Sequence, residues 1–138
     1  DYASTADRLQ AMDTDISKDT AAVEKSTLAM KQVISENQAT LTKISIQKDK
    51  AGFDKAGAKM QLAQIDANIS KMKETVKGMK DKESAYKVAL QGQTTTTSAE
   101  KTKLANLNKE YSSLNSKISD LEKETNELYE QRQAISLG

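Results

Sequence analysis

The chain of 138 residues has no proline, cysteine, histidine or tryptophan, one phenylalanine and four tyrosines. Each absence excludes something. Without thiols or imidazoles there is no Cys- or His-based metal site, no disulfide framework and no catalytic triad of the usual kind. Without proline, a loop-rich or β-rich domain is disfavoured, since average usage of about 5% would supply roughly seven. No apolar run approaches the roughly 18 residues of a membrane-spanning helix. Lys+Arg is 21 against Asp+Glu 20, a net charge of +1 that gives no bulk attraction to nucleic acid.

What is present favours helix. Alanine, lysine, glutamine and leucine are abundant, and all are good helix formers. Large apolar residues make up about one position in four, at or below the two in seven of a coiled-coil seam and short of the three in seven of a globular core helix. Three tracts carry that seam. Leu104, Leu107, Tyr111, Leu114, Ile118, Leu121, Thr125, Leu128, Arg132 and Ile135 alternate in steps of three and four, the a/d pattern of a supercoiling helix. Leu62, Ile65, Ile69, Met72, Val76, Met79, Glu83, Tyr86 and Leu90 do the same. The first tract, Leu9, Met12, Ile16, Asp19, Val23, Ser26, Met30, Val33 and Asn37, is the most polar, and Leu41, Ile44 and Ile46 continue it less regularly.

The breaks are marked by their own chemistry. Gly92 stands where a C-cap glycine belongs, and the threonines Thr94–Thr97 form a β-branched polar run that helices dislike. Thr97-Ser98-Ala99-Glu100 reads as a capping box. Gly52 and Gly57 bracket a second break, with Asp54 as an N-cap; the rival is a helix running straight through, because each glycine costs only about 1 kcal/mol. The fold expected is all-α: an elongated antiparallel three-helix coiled-coil bundle, a single domain over 1–138, with helices at about 4–51, 55–91 and 98–137. Charge supports both reversals. Acids Asp1, Asp7, Asp13, Asp15, Asp19 and Glu24 would face the lysines between Lys71 and Lys87, with Asp19 beside Lys87. The acidic run Asp120 to Glu130 would lie near Lys43, Lys48, Lys50, Lys55 and Lys59.

Helix lengths carry the functional expectation. At 1.5 Å per residue the first helix would reach about 70 Å, against ~55 and ~60 Å for the others. Residues 1–14 would then overhang the threonine turn while continuing the apolar stripe through Tyr2, Ala6, Leu9 and Met12. An unburied stripe is a candidate self-association or docking surface.

Other features read as structural. The ladder Lys73, Lys77, Lys80 is interrupted by acids and lacks interleaved aromatics, so it is a solvated face and not a phosphate stripe. Seam residues Asp19, Ser26, Asn37, Glu83, Thr125 and Arg132 set register in preference to catalysis. The methionines fill core, and the acids Glu122 to Glu130 lack the glycine loop a calcium site needs. No phosphate loop or nucleophile elbow occurs.

The expectation is a non-enzymatic structural protein without cofactor or metal, self-associating or bound to another helical protein. It would bind no nucleic acid, and would touch a membrane only through a lipid anchor. The missing cysteines and a first residue other than Met suit an exported, extracytoplasmic subunit of a filament or sheath. The alternative is an envelope adaptor binding another protein through its tip, Thr94, Thr95, Thr96 and Thr97.

Overall fold

A computed structural model of the chain describes residues 4–138. It is an all-α three-helix bundle: α1 is Thr5–Gln47, α2 Lys55–Gln91 and α3 Ser98–Gln133. The helix starts follow their caps. Ser4 Oγ accepts from Asp7 N at 3.1 Å at the head of α1, and Asp54 Oδ1 accepts from Gly57 N at 2.9 Å at the head of α2. Thr97 Oγ1 accepts from Glu100 N at 3.1 Å at the head of α3. Each side-chain oxygen satisfies one of the amides that a helix leaves without a partner in its first turn. The box at α3 is offset by one residue from expectation: Glu100 Oε1 accepts from Thr96 N at 3.1 Å, one position before the cap.

The 52–57 break is a turn, and α1 ends at Gln47, four residues short of the expected 51. Lys48 to Ala51 are competent helix formers, but the chain must reverse. It does so through Lys50 N to Gln47 O at 3.0 Å and Phe53 N to Lys50 O at 3.3 Å, with Gly52 at φ 77°. That left-handed conformation is open to glycine and strained for a side chain. Gly92 does not share it; α2 closes there with Gly92 N on Val88 O and no positive φ. The α3 helix also stops earlier than expected, at Gln133.

The chain falls into two compact units, each built from a stretch of all three helices. The first joins the stretch ending at Ser26 to Lys77–Ser119, and the second joins Thr27–Val76 to Asp120–Gly138. In the first unit Leu9, Ile16, Leu90 and Leu107 form a buried cluster flanked by Met12, Tyr86, Leu104 and Tyr111. Val23, Leu114 and Ile118 form another, with Met79 against it. In the second unit Ile34, Leu41, Ile44, Leu62, Ile65, Ile69, Leu121 and Leu128 are buried. There the α1 seam passes through Ile34 and not Val33, and Ile46 is 60% exposed instead of continuing the seam.

These contacts correct the expected overhang. Leu9 is 0% exposed, and Met12 is half-buried against the same cluster. Ala6 is exposed, and Tyr2 lies outside the described residues. The reason lies in the linker: six residues separate α2 from α3 without doubling back tightly, so α3 begins alongside the start of α1. Lys103 meets Asp13 at 2.7 Å, and the first turns of α3 accordingly run beside the residues that were to overhang. The stripe at Leu9 and Met12 is core.

Candidate functional site

The polar seam positions of the first unit are brought together in pairs across helices. Glu83 of α2, buried at 9% exposure, accepts a hydrogen bond from the Tyr111 hydroxyl of α3. Asp19 of α1 accepts from the Tyr86 hydroxyl of α2 and lies 3.6 Å from Lys82 Nζ. Expectation placed Asp19 beside Lys87; the contact falls one residue away, on Tyr86, which exchanges a lysine for a tyrosine. The α1 acids also reach α3, with Asp13 on Lys103 and Glu24 on Lys117.

Burial sets the electrostatics of these pairs. Desolvation first, and then the hydrogen bond to Glu83 and its charge, push the Tyr111 phenol up to about 12. Desolvation, the Asp19 hydrogen bond and the Asp19 and Asp15 charges push Tyr86 up further. The hydrogen bond from Lys103 holds the Asp13 carboxyl below its ordinary value, while burial and the neighbouring Asp13 raise Glu110. A phenol ionises near 10 in an unfolded chain, so the contribution of both tyrosines is fully present below pH ~10 and is lost as pH rises through their higher folded values. Alkaline titration followed together by tyrosinate absorbance and helical circular dichroism should therefore show late-ionising phenol appearing with loss of helix. Ionisation of all phenols near pH ~10 with helix intact would contradict the pairing.

In the second unit the polar seam is handled differently. Thr125 turns its hydroxyl onto Leu121 O at 2.8 Å, and Asn68 Nδ2 lies 3.5 Å from Asn37 Oδ1. Arg132 reaches out of the seam to grip Asp66 through Nε at 2.9 Å and Nη2 at 3.1 Å. Lys73 of the basic ladder lies 3.5 Å over the Tyr129 ring, a cation–π contact within the chain. Arg132–Asp66 and Lys73–Tyr129 each link α3 to α2 in this unit.

Asp19 and Glu83 each sit against a phenol. Among the described residues no group of three acids is placed to hold a metal ion. No helix there is long and apolar enough to cross a membrane. No family model, curated protein or solved structure matches the chain. Function has to be read from the surface.

That surface has one feature the heptad reading missed. Leu28 is 75% exposed and Ile46 60%, both on α1 in the second unit. Between them Gln32, Ser35, Ala39 and Thr42 follow in alternating steps of four and three, and all are exposed. On α2 of the same unit Ala56, Met60, Ala63, Ala67 and Ser70 form a similar exposed line, with Met60 75% exposed. Neither line carries a charge, in a chain that is 30% charged. Small and hydroxyl residues hide such a line from a search for large hydrophobics; the signal available in the sequence was heptad spacing on the face opposite the core. The threonine tip is different in kind. Thr94, Thr96 and Thr97 are exposed, Thr95 is partly covered, and Glu100 holds the Thr96 amide.

Proposed function

We propose that the chain is a non-enzymatic structural subunit that associates with copies of itself through the outer faces of its helices. The observation that carries this is the pair of uncharged outer lines on α1 and α2, with Leu28, Ile46 and Met60 standing 60–75% exposed. Scattered single hydrophobics are ordinary on a surface. Heptad-spaced lines without charge on the side away from the core are what a helix presents to another helix. Two such lines on one chain would let each copy contact more than one neighbour, as an extended assembly requires. An exported assembly, such as a filament or sheath, suits a chain with no thiol to oxidise.

Light scattering after size exclusion, across a wide concentration range, tests the reading. Mass should rise with concentration, and Leu28→Lys together with Met60→Lys should return the chain to a folded monomer. A wild type that stays at 15.1 kDa throughout would remove self-association. It would transfer the reading to an adaptor that presents Thr94–Thr97 to a different protein.

A further inference from the structure

The α1 line has a property that the α2 line lacks: it reads alike in both directions. Leu28 and Ile46 lie eighteen residues apart, about five turns at 3.6 residues per turn, so they project at one azimuth ~27 Å apart. Inside them stand a side-chain amide at Gln32 and a hydroxyl at Thr42. Inside those stand the small residues Ser35 and Ala39.

Resting on the self-association reading, we propose that two copies pair antiparallel through this line, about a two-fold axis that sets Ser35 of one copy against Ala39 of the partner subunit. Leu28 then meets Ile46 of the partner subunit, and Gln32 meets Thr42 of the partner subunit. Each bulky aliphatic covers another, the Gln32 amide faces a hydroxyl, and the small Ser35–Ala39 centre lets the axes close toward the short end of the 8–10 Å range for packed helices. A two-fold contact requires a self-complementary patch, and this is one.

The flanking charges argue for the same occupant. In this register Lys31 faces Ser45 of the partner subunit and Lys43 faces Ala29 of the partner subunit, so neither lysine meets a like charge. Of the flanking charges, Glu36 faces its own copy across the axis, and it is held back by Gln32 Nε2, 3.3 Å from its Oε1. A strip ~27 Å long on one helix buries less than the ~1,200 Å² of a standard interface, so the pair is weak and concentration-dependent.

The chain has no cysteine, so a disulfide reports contact without background. Ser35→Cys and Ala39→Cys, prepared separately and mixed in equal amounts under mild oxidation, should give the mixed dimer in excess of both like dimers. A disulfide needs Cβ atoms about 3.5–4.5 Å apart, and like pairs are offset by about one helical turn. Leu28→Lys should weaken association about tenfold or more, the equivalent of one lost buried aliphatic contact. Glu36→Gln should move association to lower concentration. Helical circular dichroism of each variant confirms folding, since all four positions are exposed. Random proportions of the three disulfides, or association indifferent to Leu28→Lys and Glu36→Gln, would overturn this pairing while a concentration-dependent wild type kept the self-association reading. A wild type monomeric at every concentration would remove both.

Discussion

Leu9→Ala should cost about 2–5 kcal/mol of stability, read as a shift in the urea or thermal midpoint, and should leave self-association untouched. Leu9 lies only about one turn into α1, where a helix end ordinarily frays. Here it is 0% exposed, packed with Ile16 of its own helix, Leu90 of α2 and Leu107 of α3. Truncation removes the transfer free energy of the side chain and leaves a void that three helices must close around, and the two terms add. The neighbouring Ala6→Leu supplies the control, because Ala6 is exposed and its enlargement should change stability by no more than about 0.5 kcal/mol. The opposite pattern, a stable Leu9→Ala chain with impaired assembly, would return this stretch to the role of a docking stripe. Leu9→Ala therefore separates a core position from a surface one by a measurement that does not depend on knowing the partner.

Much of the architecture was legible because it is local. The seams of α2 and α3, the Asp54 and Thr97 caps and the break at the threonine run are properties of a few adjacent residues, and each fell where the spacing placed it. What failed is what depends on register between helices. The overhang at Leu9 came from comparing helix lengths, whereas α3 starts alongside α1 and its Leu107 packs with Leu9. The placing of Asp19 beside Lys87 missed by a single residue, the contact falling on the neighbouring Tyr86. Acids and lysines were matched between α1 and α2 from charge alone, yet Asp13 and Glu24 pair with α3, which runs parallel to α1 in this unit. The outer line on α1 escaped because Ile46 was counted with the seam, although it sits two residues past the buried Ile44 and thus about 200° around the helix, on the opposite side.

The tyrosine–carboxylate pairs belong to that non-local part, and a double-mutant cycle on Tyr111 and Glu83 gives the second large effect. Tyr111→Phe deletes one oxygen and no packing, yet it leaves the Glu83 carboxylate, 9% exposed, without its cross-helix donor. The remaining contact is Ser84 Oγ at 3.5 Å, from an adjacent residue and at the limit of a hydrogen bond. An unsatisfied buried polar group costs about 1–3 kcal/mol, and more when charged. Glu83→Leu alone restores the apolar heptad and strands only a phenol at the edge of the cluster, so its cost is smaller. Combining the two should cost less than Tyr111→Phe by itself, and the chain should equal or exceed the wild type, because a buried ionic partner replaced by a well-packed aliphatic commonly does. Such a surplus of stability would identify the pair as a register device: it lowers the energy of the one alignment that joins position 83 to position 111 and raises every alignment that leaves the carboxylate alone. Additive costs from the two substitutions would mean instead that the carboxylate and the phenol act independently, and register would then have to come from the aliphatic cluster of Leu9, Ile16, Leu90 and Leu107 alone.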